Sequence, residues 1–341
     1  MNIENDEIET DEKVIKNILE DYESTIRAGQ SFISLVTWED TDKINGSKYS
    51  MGRRMNTTDQ NLVEKNIEVT PDIIIQRQSN LGYVVEIKKS LPLERREWEE
   101  VSKQLIKYDD DLIGWWNSPN ELIEKQCVIL LIHMTRSRDF TDYFLEYVSK
   151  KKINFRNEVS IIEFTRSDER TPFYLLRKIY GDISDNNIEE KLYSGIAIPI
   201  EKVIVSYGNQ KFCDCEPPAV EYTMSILWQD IFNSLRENTI DPKSKSYQIK
   251  INLSELTIDV QKLCGSSDGD DRNVAFPKKQ WIKNALNEFC EIGLAERIDD
   301  ENYIILFRFI RKDPISEFIK LRNRINKNKK STATQLTLPS H

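Results

Sequence analysis

The chain has 341 residues, 39% of them hydrophobic and 31% charged, with a net charge of −9. That is enough chain for two domains with an ample core, and its longest apolar run, residues 127–132, is far too short to span a bilayer. Five cysteines argue against a disulfide framework and suit a reducing cytoplasm, the acidic N-terminus lacks a secretory pattern, and no Gly-rich phosphate loop of a nucleotide-hydrolysing motor is present.

The first predicted element is a helix over residues 12–28, where Ile15, Ile18, Leu19, Tyr22 and Ile26 share one face. Glu23 is the mid-helix acid nearest that face, and Glu20 lies further round. Six acids and no basic residue stand among the first twelve positions, so single carboxylates here carry little weight. Residues 32–38 are apolar enough for a strand. Residues 46–66 are polar, contain Gly52-Arg53-Arg54, and read as a loop or insertion.

A β-hairpin follows. Thr70-Pro71-Asp72 leads into Ile73, Ile74 and Ile75, and Gly82, Tyr83, Val84 and Val85 lead into Glu86-Ile87-Lys88, with Ser79-Asn80-Leu81 as the turn. A three-residue loop there sets Gln78 opposite Gly82 and Asp72 opposite Lys88, with Glu86 on the same face as Lys88. Two carboxylates and a lysine then converge at the open end of the hairpin. Such a pair repels unless a cation lies between, and Mg²⁺ takes oxygen ligands, often one or two carboxylates with waters and a phosphate. The Ile87 carbonyl is a natural further ligand, and Lys88 could orient the attacking water or offset charge on phosphorus.

Pro71, Asp72, Glu86 and Lys88 in this arrangement resemble the PD-(D/E)xK nuclease superfamily, the restriction-endonuclease-like fold. The resemblance implies a mixed central sheet flanked by helices, Asp72 and Glu86 as metal ligands, Lys88 as the catalytic lysine, and Mg²⁺ as cofactor with Mn²⁺ able to substitute. The bare string is weak, for it recurs as Glu189-Glu190-Lys191 and, with aspartate, as Asp241-Pro242-Lys243. Neither recurrence ends an apolar strand beside a Pro-Asp, so context selects the first.

The next predicted helix covers residues 95–116, with Trp98, Val101, Leu105, Tyr108 and Leu112 as its apolar stripe. Gln104 borders that stripe. Gln104 and Tyr108 look like the Gln-x-x-x-Tyr helix that follows the E-x-K strand in many superfamily members, which implies a Gln104 turned toward the site; the bland reading is a polar residue at a helix edge. Lys103 and Lys107 could face phosphate or solvent. A buried strand at 126–134, a helix at 140–150 and strands at 159–165 and 173–180 follow, with one more strand at 196–204 and a boundary at Pro217-Pro218. His133 reads as a strand-end residue, and Cys213-Asp214-Cys215, Cys264 and Cys290 as structural cysteines rather than a zinc site.

The C-terminal part reads as helices at 224–236, 254–263 (Ser254 as N-cap) and 277–292, opened by Pro277 and closed by Gly293. A hairpin over 294–307 turns at Asp299-Asp300-Glu301-Asn302. Three helices and a hairpin resemble a winged-helix domain. The resemblance makes the third helix the recognition helix, with Lys278, Lys279 and Lys283 on nucleic acid, although the acidic wing tip would repel phosphate. Residues 311–330 carry eight basic and two acidic side chains, a solvated tail or a phosphate-gripping arm.

The expected organisation is thus an α/β domain over 1–218, a winged-helix-like domain over 219–312, and a helix with a basic tail over 313–341. The expected function is a Mg²⁺-dependent DNA endonuclease acting on double-stranded DNA, with restriction, phage defence or mobile-element biology as settings. A homodimer or a partner protein is compatible with it, and RNA cleavage stays open. The alternative is a non-catalytic DNA- or protein-binding adaptor that retains a nuclease fold.

Overall fold

In the computed structural model, which describes residues 3–38, 46–57, 68–77, 80–116, 123–207, 210–213, 218–235, 247–265, 274–307 and 314–336, the first helix does not stop at residue 28. It runs as α1, Ile3–Thr37. The apolar run predicted as a strand is its buried C-terminal part, with Phe32, Ile33, Leu35 and Val36 no more than 2% exposed. A short run that is apolar on every side does not distinguish a buried strand from a buried helix. Gly29 sets the approach of this helix: a Cβ there would stand 2.6 Å from Ile87 Cδ1 and 2.8 Å from Ile73 Cδ1. Helix and hairpin therefore touch where a side chain would keep them apart.

Contacts divide the chain into two compact units, Glu23–Glu216 with Gln261–Phe276, and Met1–Tyr22 with Pro217–Val260 and Pro277–His341. The sequence reading cuts the chain after 218 and again after 312, and leaves residues 1–218 in one piece. Contacts also place Met1–Tyr22 with the C-terminal part, because Tyr22 meets Tyr222 at 4.8 Å between ring centres and Ser316 donates to Glu12.

The larger unit is an α/β layer. Its strands are β1 Lys48–Met51, β2 Met55–Thr57, β3 Glu68–Val69, β4 Ile73–Gln76, β5 Leu81–Lys88, β6 Leu112–Ile113, β7 Lys125–His133, β8 Glu158–Ser167, β9 Phe173–Tyr180 and β10 Ile196–Pro199. Its helices after α1 are α2 Arg95–Tyr108, α3 Met134–Lys151, α4 Asn186–Ser194 and α5 Ile200–Tyr207. Seven strands form one mixed sheet in the order β1-β4-β5-β7-β8-β9-β10, parallel across β5-β7-β8 and antiparallel elsewhere. A small sheet, β3-β2-β6, stands beside it.

One face of the main sheet is covered by α1, against Ile73 and Ile87. On the other, Trp98, Val101 and Leu105 of α2 and Phe140 and Phe144 of α3 share a core with Ile74, Val84, Val128, Leu130 and Ile161. The alternation of inward residues along β4 and β5 thus serves two cores, which is why both strands read as continuous apolar runs.

Several elements differ from the sequence reading. The polar segment 46–66 supplies β1 and β2, with residues 58–66 outside the described ones. Helix α2 ends at Tyr108, not 116, because the Asp109 carboxylate accepts the Arg156 and Asn157 amides at 2.8 and 2.7 Å and turns the chain toward β6. Helix α3 begins at Met134, directly after the strand end at His133. Residues 196–204 are a short strand followed by a helix.

In the C-terminal unit, α6 Val220–Ile226 continues as a π-helical turn, Leu227–Phe232, followed by β11 Tyr247–Asn252, α7 Leu253–Gly265, α8 Lys279–Glu291, β12 Ala295–Arg297, β13 Asn302–Phe307 and α9 Pro314–Leu336. The strand β11 was not expected. It pairs with β13, giving the antiparallel order β11-β13-β12. The N-cap of α7 is Asn252, whose side chain accepts the Ser254 and Glu255 amides at 3.0 and 3.2 Å, rather than Ser254. Trp228, Phe232, Phe289, Phe307 and Phe318 form an aromatic core with centroid distances from 5.4 to 6.5 Å. Among the described residues no helix is long and apolar enough to cross a membrane.

Candidate active site

The hairpin forms, two residues out of the expected register. Ile73 pairs with Val85 and Gln76 with Gly82, so the next position sets Asp72 opposite Glu86, not Lys88. The cause lies in the loop. Arg77 N–H donates to the Leu81 carbonyl at 2.8 Å, and Asn80 holds the left-handed conformation, φ 57°. A three-residue hairpin loop needs such a residue last, and asparagine tolerates it where leucine at 81 would not.

The corrected register draws the two carboxylates closer. Asp72 and Glu86 are 1% and 2% exposed. Asp72 Oδ2 accepts the Ile87 amide at 2.8 Å. The N–H and C=O of one strand residue point to the same side, so the Ile87 carbonyl also faces Asp72. Glu86 Oε1 accepts from Lys88 Nζ at 2.6 Å, and Oε2 accepts from the Tyr108 hydroxyl at 3.0 Å. Gln104 Nε2 in turn donates to the Tyr108 oxygen at 2.8 Å. Gln104 therefore reaches the cluster through its partner in the Gln-x-x-x-Tyr pattern, Tyr108, whose own contact with the site was not expected. Its position four residues on, one helical turn away, was the signal available.

The electrostatics fit this packing. Burial, followed by the charges of Glu86 and Asp72, pushes the Tyr108 phenol well above its ordinary range, so it stays protonated and donating. Lys88, with its side chain 17% exposed, is the cluster's contact with solvent.

Glu23 and Glu20 do not join. Glu23 is half exposed and holds Arg27 at 2.7 Å, while its neighbour Ser24 bonds Tyr174 of β9 at 2.9 Å, three strands from β5. Helix α1 meets β5 further along, at Gly29 against Ile87 and at Phe32, whose ring centre stands 6.0 Å from that of Tyr83. Glu20 is exposed. His133 ends β7 as expected, its ring bonded to Thr135 at 3.0 Å. Cys127, Cys213 and Cys264 are buried, and residues 214–215 lie outside the described ones.

The donor set suits Mg²⁺ better than a transition metal. Two carboxylates and a carbonyl are hard oxygen ligands, and Mg²⁺ usually completes its shell with waters. Among the described residues no group of three or more His, Cys, Asp or Glu side chains gathers as metal ligands.

The lysines expected on nucleic acid behave differently. Lys279 Nζ bonds both oxygens of Glu301 at 2.8 and 2.9 Å and Ser254 at 2.8 Å. Lys283 stands 4.0 Å from Asp300, which also pairs with Arg297. Lys278 is exposed, 5.4 Å from the Trp281 ring. The acidic hairpin tip folds back on Lys279 and Lys283 and compensates them. Arg322 of the expected basic arm bonds Glu221 and Glu288 at 2.7 and 2.6 Å, tying α9 to α6 and α8. The side chains beyond residue 325 lie outside the described ones.

No protein-family model, curated protein or solved structure matches this chain. The site must therefore be judged on its own residues.

Proposed function

We propose that this chain is a Mg²⁺-dependent nuclease, a DNA endonuclease that hydrolyses phosphodiester bonds. The observation that carries the reading is the buried pair Asp72 and Glu86 at facing positions of two adjacent strands, with Lys88 on the second carboxylate. The antiparallel β1-β4-β5 followed by parallel β7, with helices on both faces, supports it. Asp72, Glu86 and the Ile87 carbonyl would hold the ion, which supplies a more acidic water and neutralises the scissile phosphate.

The chain's own groups have separable tasks. The Ile87 amide fixes Asp72, and Tyr108, itself held by Gln104, fixes one oxygen of Glu86. Lys88 carries the charge that can turn from Glu86 toward an anionic phosphate. In the C-terminal unit, the order α6-β11-α7-α8-β12-β13 supports a winged-helix reading. With Lys279 and Lys283 already paired to Glu301 and Asp300, that unit serves docking more than base reading.

One observation favours the adaptor alternative: both oxygens of Glu86 already have partners, as in a structural polar cluster. Plasmid cleavage with Mg²⁺, Mn²⁺ or EDTA, wild type beside Lys88→Ala, separates the two. Metal-dependent cutting by wild type alone supports the nuclease; equal cutting by both proteins, or none by either with Mg²⁺ or Mn²⁺, counts against it.

A further inference from the structure

Between α3 and β9 lies a cavity of about 440 Å³, lined by Arg138, Thr141 and Asp142 from the helix and Arg177, Lys178 and Ile179 from the strand. Its volume is that of a small-ligand site. Its chemistry is mixed: three cations, one carboxylate, one hydroxyl and one apolar side chain.

The charges are not equivalent. Lys178 is compensated by Glu189. Arg177 pairs with Glu163, through Nε at 2.7 Å and through Nη2, and the other Glu163 oxygen accepts from Ser137 at 2.6 Å. Glu163 is buried and satisfied, whereas a guanidinium has five N–H groups and Arg177 has spent two on it. Arg138 and Asp142 are exposed and make no ion pair among the described residues, although they stand one turn apart on α3. An uncompensated cation and an uncompensated acceptor thus line one cavity, beside a second arginine with donors to spare.

We propose that this cavity is a nucleotide-binding groove, with a phosphate on Arg138 and Arg177 and the N–H edge of a base on Asp142. The ligand class follows from the pairing of an anion with hydrogen-bond donors; a bare phosphate would leave Asp142 opposed, and a cation would meet the arginines.

The groove also has a place relative to the candidate active site. Lys88 pairs with Ile132, Ile132 with Glu163, and Glu163 with Arg177. Arg177 is thus three strand spacings from Lys88, about 14 Å along one row of the sheet. Glu163 is held from the α3 side by Ser137, and Glu86 from the α2 side by Tyr108, so both acids lie on the face that these helices share. A strand seated on Lys88 would reach the groove within a few nucleotides. This strand form rests on the nuclease reading; binding of a free nucleotide does not.

The test is fluorescence anisotropy in EDTA, so that nothing is cut, with a short labelled single-stranded oligonucleotide and with mixed deoxynucleoside monophosphates as competitor. Wild type is compared with Arg138→Glu and Arg138→Gln. Arg138 is exposed, so both variants should fold; Arg177 is avoided because its loss would leave Glu163 buried and unpaired. Arg138→Glu should weaken binding roughly tenfold. Arg138→Gln should lower the salt slope by about 0.7, the share of one phosphate contact on a single strand.

Oligonucleotide binding well above that of the monophosphates, with these losses, supports a groove for a strand. Equal binding of both, with the same losses, supports a groove for a free nucleotide. Unchanged affinity for both ligands in both variants overturns the proposal. Cleavage by Lys88→Ala is read separately, so failure of the nuclease and failure of the groove leave different signatures.

Discussion

Two clusters of opposite charge, one at the mouth of the β4–β5 hairpin and one at the β12–β13 turn, use the same residue types in opposite ways. At the first, Asp72 and Glu86 are almost wholly buried, and each oxygen with an assigned bond is held by a group of fixed position, the Ile87 amide, the Tyr108 hydroxyl or Lys88. At the second, Lys279, Glu301, Arg297 and Asp300 pair at the surface, with side chains 42–78% exposed. Burying two carboxylates side by side is costly, so an arrangement that retains them signals a ligand more strongly than any exposed pair. Surface pairs are screened by water and carry little information about function.

The comparison breaks first in activity. If the buried cluster is catalytic, Asp72→Ala, Glu86→Ala and Lys88→Ala each reduce plasmid cleavage by roughly a thousandfold or more while leaving DNA binding largely intact. Near-wild-type cutting by any one of them would sink the assignment.

The second effect is thermodynamic. Mg²⁺ at a hundredfold excess over its dissociation constant should stabilise the wild type by about 2.7 kcal/mol, seen as a rise in melting temperature. The Asp72→Asn variant should show little of that rise, yet should melt no lower than wild type without metal, since it relieves like-charge repulsion. A variant that responds to Mg²⁺ as wild type does would remove Asp72 from the metal site.

The third concerns pH. The buried Tyr108 keeps its proton where the unfolded chain sheds it, above pH 10. Unfolding there releases a proton, so stability falls as pH rises past that point, and is untouched near neutrality. Tyr108→Phe should soften the alkaline loss without abolishing it, because burial also raises Tyr83 and Tyr174. Identical alkaline melting curves for variant and wild type would show that Tyr108 is not buried in this way.

The smallest effect belongs to the exposed cluster. Lys279→Ala should leave the melting temperature within the scatter of repeat measurements. Glu301→Gln should strengthen DNA binding modestly by releasing Lys279, and an unchanged salt dependence would assign the unit to protein contacts instead.

The candidate site was legible in the sequence because its residues lie on two strands joined by a short turn. A Pro-Asp before one isoleucine run and a Glu-x-Lys after the next needed only a hairpin to meet. The register was not, because the choice between Leu81 and Asn80 as the last loop residue turns on a backbone conformation that apolar patterning does not encode. Tyr108 sat in the apolar stripe like its neighbours, and its hydroxyl mattered only once α2 was laid on β5. The strand β11 had its signal in Tyr247, Ile249 and Ile251, an alternation of period two overlooked between two helices.

Local order, then, was written in the chain: the hairpin, the buried strands β7, β8 and β9, and the breakers Pro277 and Gly293 around α8 follow from periodicity and turn chemistry, which act between near neighbours. Tertiary structure alone decided that residues 32–37 complete a helix, that Glu23 lies over β9 and not β5, that Arg322 braces two helices, and that the acids of the β12–β13 turn hold Lys279 and Lys283. Each of those outcomes depends on which surfaces are buried against one another, and burial is a property of elements far apart in the chain.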